Sequence, residues 1–300
     1  MPYTLFKAEI ICYNRYMKKF KRIYVEITNI CNLDCSFCPK HSREKGTMTE
    51  QQFENIANQV APLTDAFCLH LMGEPLLHPK LDKILQICHD HNTKVLLTTN
   101  GTLLHKNLPL LTSGKIKRLS VSLHSYEANQ HLLSLDTYLT NVLTSAQAVA
   151  QSGTYVELRL WNATANDIAQ NSLNKQILDY IAAFFKTELD TTTTKRIDVA
   201  PHIYIGFDDA FLWPTHTQDG SKDTSKFCYG LRTHFGILCD GTVVACCLDN
   251  EGQLALGNVF KSDIQSILTS QRAQNIACGF SNHTAVEPLC QSCQFATKFN

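Results

Sequence analysis

The segment from Glu26 to Lys40 reads EITNICNLDCSFCPK and contains three cysteines, Cys31, Cys35 and Cys38, in the spacing C-x3-C-x2-C. A zinc site or a closed iron–sulfur cluster usually takes four protein ligands. Three thiolates can hold a 4Fe–4S cluster and leave one iron open to a molecule that the cluster reduces. S-adenosylmethionine (SAM) chelates such an iron through its amino and carboxylate groups, and reduction of its sulfonium releases a 5′-deoxyadenosyl radical. A zinc knuckle, or a chance spacing, is the alternative.

The surroundings of this cysteine triad favour the cluster. The triad directly follows the first predicted strand, and Phe37 stands next to Cys38, where an aromatic ring can lie beside an adenine. The second predicted strand ends in LHLMGEPLLHP, which places Met72–Pro75 directly after a strand. These features argue against a chance spacing.

Short apolar strands alternate with helical patterns from residue 22 to about residue 206, which predicts a parallel sheet, open or curled into a partial barrel. The predicted strands lie near 22–28, 66–72, 93–99, 118–124, 154–161 and 198–206. The predicted helices lie near 49–60, 79–91, 103–112, 135–152 and 171–187.

Side-chain alternation predicts that the sheet has one apolar and one polar face. On the fourth strand Leu119, Val121 and Leu123 oppose Ser120, Ser122 and His124, and the first, second and fifth strands alternate in the same way. In a filled barrel both faces would be mostly apolar. Four such strands within one βα series are too many for solvent-exposed edge strands. We therefore expect a wide polar interior that holds a cofactor and a polar substrate.

With these features the sequence resembles the radical SAM superfamily over nearly the whole chain from residue 22. The resemblance rests on the cysteine triad, on Met72–Pro75 and on Thr98–Gly101 after the third strand. It implies a partial (β/α)6 TIM-like barrel of the α/β class, with the cluster at the carboxyl ends of the strands. Family members usually have Gly-Gly-Glu-Pro where this chain has Met72, a tolerable departure because the contact there is mainly through the backbone. The implied cofactor-binding residues are Phe37, Met72, Gly73, Glu74, Asn100, Ser122 and His124.

Three further polar residues are candidates for catalysis. Arg159 is placed to grip a carboxylate of the cofactor or the substrate, since guanidinium binds carboxylate bidentately. A structural ion pair with Glu157 or Glu26 is the alternative for Arg159. His70 and His202 are candidate substrate contacts or proton carriers, and an ordinary hydrogen-bonded barrel histidine is the alternative for each.

A second set of cysteines lies in the last quarter of the chain. Cys228 and Cys246 are separated by seventeen residues, and Cys290-x-x-Cys293 lies near the end. This pattern resembles the short "twitch" form of the SPASM module, a small α+β unit that holds one auxiliary 4Fe–4S cluster. A zinc ribbon is the alternative. Cys239 and Cys247 are alternative ligands if the register of the predicted hairpin differs.

The expected domains are an N-terminal extension (1–21), the radical SAM partial barrel (22–206), a linker or lid (207–227) and the auxiliary cluster module (228–300). The chain has 27 basic and 27 acidic residues, so no basic field indicates a large nucleic-acid surface. It lacks an apolar run of membrane-spanning length and a secretion signal. With thirteen cysteines, it is expected to be a cytoplasmic metal-binding protein rather than a disulfide-rich one.

The sequence thus predicts an enzyme that cleaves SAM and abstracts hydrogen from a small polar metabolite or a modified nucleobase. An auxiliary cluster would transfer electrons, and a flavodoxin- or ferredoxin-type protein would donate them. A maturase of a ribosomally made peptide is the first alternative, although residues 1–21 are too short for a separate peptide-binding domain. A non-enzymatic iron–sulfur or zinc scaffold is the second.

Overall fold

Strands and helices alternate along the first two thirds of the chain, as the sequence predicts. The computed structural model describes residues 20–162, 172–190, 195–209, 213–214 and 223–299. Its strands are β1 (Ile23–Val25), β2 (Ala66–Cys68), β3 (Lys94–Thr99), β4 (Ile116–Ser122), β5 (Tyr155–Leu160), β6 (Arg196–Ala200), β7 (Ile203–Phe207), β8 (Gly236–Ile237), β9 (Thr242–Val244) and β10 (Ala255–Asn258). Its α-helices are α1 (Glu50–Val60), α2 (Leu81–Asp90), α3 (Leu104–Leu111), α4 (Leu135–Gln151), α5 (Ser172–Phe185), α6 (Ile264–Leu268), α7 (Gln271–Ser281) and α8 (Pro288–Ser292).

These strands form one mixed sheet in the order β10-β9-β8-β1-β2-β3-β4-β5-β7-β6. Strands β1 to β5 and β7 run parallel to one another, and β6 at the edge is antiparallel to β7. Within the described residues the outer strands, β10 and β6, do not pair with each other, so the sheet is open. No helix of the described residues is long and apolar enough to span a membrane.

The prediction of one long strand over 198–206 is wrong. This stretch contributes to two antiparallel strands, β6 and β7, with Pro201 and His202 in the turn between them. Proline has no N–H to donate to a strand ladder, so it favours a break there. The turn lies at the amino end of β5, because the Val156 N–H donates to the His202 carbonyl (2.8 Å).

The predicted alternation of the two faces is confirmed. Leu119, Val121 and Leu158 are fully buried on the apolar face. The opposite face carries Arg159, whose Nη1 lies 3.4 Å from Thr98 Oγ1. These residues lie on β5 and β3, with β4 between them, a span of about 9.5 Å in a flat sheet. Side chains from separate strands therefore meet on the polar face of the sheet.

The strands of the C-terminal segment continue the same sheet. The β8–β9 hairpin turns at Asp240-Gly241, as predicted, with Gly241 at φ 84°. β8 pairs in parallel with β1, in the register Tyr24 to Gly236. The expected extension 1–21 and linker 207–227 lie largely outside the described residues. The domain boundaries stay predictions.

Glu26, immediately after β1, joins three separate segments through its buried carboxylate. It accepts hydrogen bonds from Arg43 Nη1 and Nη2 (2.7 and 2.8 Å), from Met72 N (3.1 Å) and from Cys239 N (3.2 Å). The residue is fully buried, and the Arg43 side chain is 11% exposed. One charge pair thus fixes the cysteine loop, the turn after β2 and the C-terminal hairpin to the end of β1.

We expect Glu26→Gln to lower the free energy of unfolding by about 3–5 kcal/mol, because it leaves the Arg43 charge buried and unpaired. Urea denaturation followed by circular dichroism measures the change. The matched control is Glu54→Gln, which removes the carboxylate that His91 contacts at the surface (3.4 Å) and should cost less than about 1 kcal/mol. Equal losses in the two variants would show that Glu26 has no such linking role.

Candidate functional site

The cysteine triad lies in a loop between β1 and α1 that is closed at its base by hydrogen bonds. Asn29 Nδ2 donates to the Glu44 carbonyl (2.8 Å), and Gly46 N donates to Asn29 Oδ1 (2.8 Å). Thr28 Oγ1 also donates to the Gly46 carbonyl (3.0 Å). The loop therefore leaves and rejoins the protein at the carboxyl end of β1, where the resemblance places the cluster.

The three thiols influence one another electrostatically. Cys31 is exposed, while Cys35 and Cys38 are partly exposed. Burial raises the pKa of Cys38 to about 12, with a further contribution from the charges of Cys35 and Cys31. Deprotonating all three is therefore unfavourable unless a cationic group binds among them, as thiolate ligation of a metal requires.

Two side-chain amides point at sulfur atoms of the triad. Asn129 Nδ2 lies 3.4 Å from Cys35 Sγ, and Asn100 Nδ2 lies 3.9 Å from Cys31 Sγ. Hydrogen bonds to ligating sulfurs are one of the ways in which a protein sets the reduction potential of an iron–sulfur cluster. Sequence reasoning missed Asn129, which ends a 3₁₀ segment, Leu123–Asn129, after β4. Nothing in the local pattern indicates that this residue reaches the cysteine loop.

The Met72–Pro75 turn packs directly against the base of this loop. Glu74 N donates to the Ile30 carbonyl (2.8 Å). Gly73 has φ 77°, and a Cβ there would lie 2.3 Å from the Thr28 carbonyl oxygen. Glycine is required because the backbone conformation and the close approach both exclude a side chain.

The Glu74 carboxylate is oriented by the chain itself. It accepts from Asn100 N (2.8 Å), Thr99 Oγ1 (2.8 Å) and Leu76 N (3.0 Å), and the residue is 1% exposed. Burial raises the pKa of Glu74, and these hydrogen bonds oppose the rise. The carboxylate thereby joins the turn after β2 to the end of β3 and brings the predicted residues Gly73, Glu74 and Asn100 together.

His124 and Phe37 form a wall beside the triad. Their ring centroids lie 5.0 Å apart, and His124 Nδ1 lies 3.2 Å from the Arg159 carbonyl oxygen. Burial lowers the pKa of His124 to about 4, so the imidazole is neutral at pH 7. Ser122, partly exposed, lies level with Arg159 in the β4–β5 register. The structure therefore brings these predicted residues to the same end of the sheet.

Arg159 has the ion pair that the sequence left as its alternative role. Its Nη2 lies 2.8 Å from Glu157 Oε2, and the same oxygen accepts from Ser120 Oγ (2.6 Å). The guanidinium carbon lies 4.3 Å from the centroid of Trp161. The Arg159 charge pairs the Glu157 carboxylate and lowers the pKa of that group against the effect of burial. Glu26, the other partner considered, pairs with Arg43 instead.

The two histidines predicted for catalysis lie in different places. His70 faces the polar interior, with its ring centroid 5.6 Å from that of Tyr24. Burial lowers the pKa of His70 to about 3, and the charges of Arg159, Arg118 and Arg22 add to this effect. His202 is exposed in the β6–β7 turn, at the opposite end of the sheet from the triad, and its ring packs on Tyr155. The structure does not bring His202 into the site.

The second cysteine set lines a cavity of about 390 Å³, between β1 and the C-terminal helices. Five cysteines face this cavity: Cys228, Cys246, Cys247, Cys290 and Cys293. Lys226 is 5% exposed and donates hydrogen bonds to the carbonyls of Gln291 (2.6 Å) and Cys293 (3.1 Å). These bonds hold the segment that carries Cys290 and Cys293 in place. Apolar and aromatic side chains, including Phe280, Leu289 and Phe295, form the rest of the wall.

The position of Cys239 excludes it from this group. Its N–H donates to Glu26, and its Sγ lies 4.0 Å from Arg43 Nη1, away from the cavity. Cys247 does line the cavity but hydrogen-bonds to the side chain of Tyr24. Burial is the largest cause of the raised pKa of Cys246. The charges of Cys247, Cys228 and Cys290 raise it further.

The cavity at the second cysteine set has room for more than a single metal ion. In the part of the chain that the structure describes, no three His, Cys, Asp or Glu side chains stand close enough to surround a single metal ion. A tetrahedral zinc site would hold its sulfurs about 3.8 Å apart. The cysteines of the second set instead border a cavity of about 390 Å³, which fits the iron–sulfur group that the residue pattern predicts.

Two family models match the chain. The radical SAM superfamily model matches residues 25–144, which include the triad and the Met72–Pro75 turn. The SPASM model, an iron–sulfur cluster-binding domain, matches residues 228–294, which include all the cysteines of the cavity. The chain therefore contains a radical SAM domain, matched over residues 25–144, and a C-terminal SPASM-type iron–sulfur domain, matched over residues 228–294. Its cofactors are a 4Fe–4S cluster with SAM and auxiliary iron–sulfur.

One curated relative matches part of the chain. GTP 3′,8-cyclase of Aquifex aeolicus (strain VF5) is 29% identical over 184 residues, which are 58% of this chain and 55% of the relative. The match thus spans about half the length of that relative.

Two solved structures share the fold and confirm the partial barrel with its added module. BtrN in complex with AdoMet and 2-DOIA superposes with a TM-score of 0.52 at 16% identity, covering 93% of this chain and 94% of BtrN. Streptococcus suis SuiB bound to precursor peptide SuiA gives a TM-score of 0.61 at 14% identity, covering 96% of this chain and 73% of SuiB.

We expect Gly73→Ala to weaken SAM binding about tenfold or more, because the new Cβ displaces the turn from the end of β1. Equilibrium dialysis of the reconstituted protein measures the affinity. Gly114→Ala is the matched control, since Gly114 has a similar φ of 76° but nothing within 4 Å of the position that a Cβ would occupy. Both variants bear the strain of a positive φ, about 1–2 kcal/mol. Equal SAM affinities would show that the approach of Gly73 to Thr28 does not shape the site.

Proposed function

We propose that this chain is a radical SAM enzyme that abstracts hydrogen from a small polar metabolite or a modified nucleobase. The observation that carries the proposal is the triad loop. It offers three thiols, not four, at the same end of the sheet as the Met72–Pro75 turn and the polar barrel face. A scaffold or electron carrier has no need for an open iron beside a polar interior.

Cys31, Cys35 and Cys38 would hold the catalytic cluster. When bound and reduced, it supplies the electron that cleaves SAM to methionine and the 5′-deoxyadenosyl radical. Phe37 and His124 form a wall for the adenine, and the backbone of Met72 and Gly73 receives the amino group. Glu74 and Asn100 hold this backbone in place through the hydrogen bonds described above, and Ser122 lies at the same level.

The polar barrel face would bind the substrate. The Arg159–Glu157 pair presents a fixed guanidinium and carboxylate there, and a substrate with polar groups can bond to either. His70 is neutral at pH 7, so its role is to donate or accept a hydrogen bond rather than to carry a charge. The apolar helices behind the sheet exclude water from the other side.

The SPASM cavity would hold one auxiliary 4Fe–4S cluster on Cys228, Cys246, Cys290 and Cys293. Four thiolates leave no iron open, which suits electron transfer rather than substrate binding. Such a site accepts the electron left on a substrate radical, or passes one to the first cluster. A flavodoxin- or ferredoxin-type protein is the proposed external donor.

We expect anaerobically reconstituted protein to contain about eight irons per chain, four in each cluster. Cys228→Ala and Cys290→Ala should each lower the count to about four, because a cluster that loses one of four ligands is released. Cys239→Ala is the matched control and should retain about eight. One zinc per chain beside about four irons would identify a zinc ribbon instead.

We expect Cys31→Ala, Cys35→Ala and Cys38→Ala each to abolish 5′-deoxyadenosine formation from SAM under a strong reductant. The fold should persist, because these side chains lie in a loop outside the core. Chromatographic quantification of 5′-deoxyadenosine provides the measurement, and Cys88→Ala, a buried thiol on α2, should cleave SAM normally. Continued cleavage in all three triad variants would refute the assignment of the active cluster.

A further inference from the structure

The polar interior of the barrel has a floor of its own, below the level of the predicted SAM contacts. Backbone register places Tyr24, Cys68, Leu96 and Arg118 side by side on β1 to β4. Ser122 and Arg159, at the upper level, are paired four residues further along. At about 3.3 Å per residue, the two levels are about 13 Å apart.

Two cations, Arg118 and Arg22, lie at this floor, and neither forms an ion pair within the part of the chain that the structure describes. Arg118 lies on the same face as Ser120 and Ser122, and Arg22 lies on the same face as Tyr24, to which it hydrogen-bonds. The charges of Arg22 and Arg118 both act on His70 and on the Cys68 thiol, so these groups converge. Glu157 and Glu26 form ion pairs with Arg159 and Arg43, and the charge of Arg118 acts on Glu157 as well.

Two buried nitrogen atoms of the polar interior, one on this floor and one two residues above it, just after β2, have no hydrogen-bond partner among the described residues. They are Nε of Arg118 and Nδ1 of His70. Arg118 and His70 are otherwise partly exposed, as Arg22 is, while the neighbours Leu119 and Leu69 are fully buried. An unpaired buried donor is costly, so its retention calls for a partner that the described residues do not supply.

We propose that Arg118, with Arg22 and His70, forms an oxyanion subsite at the floor of the barrel, which binds a carboxylate or phosphate group of the substrate. The proposal rests on the proposed function and narrows its substrate class to small anionic metabolites, including nucleotides. A guanidinium matches the two oxygens of either group in bidentate geometry. The distance between the two levels limits the length of the substrate. Its anionic group and its reacting carbon lie at opposite ends of a molecule that is up to about 13 Å long.

Arg118 lies on the polar face of β4, and its Nε has no hydrogen-bond partner among the described residues. Arg159, by contrast, is neutralised by Glu157. The two arginines therefore have different roles: Arg159 forms a fixed ion pair near the cofactor end, and Arg118, below it, forms no ion pair of its own among the described residues.

The test is calorimetric titration of the reconstituted protein with inorganic phosphate and, separately, with acetate, at low ionic strength and with SAM present throughout. We expect Arg118→Gln to weaken binding of the preferred anion at least tenfold, Arg22→Gln to weaken it less, and Arg118→Lys to retain part of it. Tighter binding of phosphate would identify a phosphorylated substrate, and tighter binding of acetate would identify a carboxylic acid.

Arg196→Gln is the matched control, because Arg196 is exposed on β6 and paired with Asp198 (2.6 Å). It should bind the anion like the unaltered protein. Should Arg118→Gln not fold, Arg118→Lys and Arg22→Gln provide the comparison. Unchanged affinity in the Arg118 variants, or no binding of either anion by the unaltered protein at millimolar concentration, would overturn the subsite.

The outcome for the subsite is separate from that for the proposed function. Protein that cleaves SAM to 5′-deoxyadenosine but binds neither anion would overturn the subsite alone. Protein that binds phosphate through Arg118 but never cleaves SAM would overturn the proposed function and leave the subsite standing.

Discussion

The buried carboxylate of Glu26 is the constraint on which the arrangement of both candidate cluster sites depends. A carboxylate without water must receive hydrogen bonds from the protein, and this one receives them from Arg43, Met72 and Cys239. Each donor belongs to a different segment of the chain: the cysteine loop, the turn after β2 and the hairpin before the auxiliary cysteines. Because these donors satisfy one group, none of the three segments can shift without leaving it unsatisfied.

Charged side chains inside the barrel also form ion pairs, with one exception. Glu26 with Arg43 and Glu157 with Arg159 are complete pairs, and their side chains are nearly buried. Arg118 and Arg22 add positive charge, and neither forms an ion pair of its own among the described residues. Burial is the main cause of the low pKa of the nearby His70, and the positive charges of Arg159, Arg118 and Arg22 lower it further. The interior therefore attracts anions.

The sequence predicts most of the architecture because the helices and strands depend on local periodicity. The bounds of α1 to α5 agree with the predicted helices within about two residues, and the two faces of β4 and β5 alternate as expected. The split of the last predicted strand was signalled by Pro201, whose missing N–H the pattern did not weigh. The cysteine spacing indicates the ligand sets, but nothing in it separates Cys239 from Cys246, since that choice depends on the hairpin register.

Other features could not be predicted because they depend on contacts between distant segments. Asn129 reaches Cys35 across more than ninety positions, and Arg43 meets Glu26 through the fold of a long loop. His202 failed as a site residue because a turn moved it to the other end of the sheet. Whether Arg118 or Arg159 is the unpaired cation depends on which of them lies beside Glu157, and alternation places both on one face without deciding it.

The parallel pairing of β8 with β1 has a consequence for protein engineering. The two family matches suggest modules that can be exchanged between relatives, yet the boundary between them is a hydrogen-bonded strand pair. Cutting the chain before residue 228 would expose the ladder of β1 as an unprotected sheet edge, a template for aggregation. It would also remove one of the donors to Glu26. A chimera with a different auxiliary domain must therefore retain β8 from this chain, or import β1 together with its new partner.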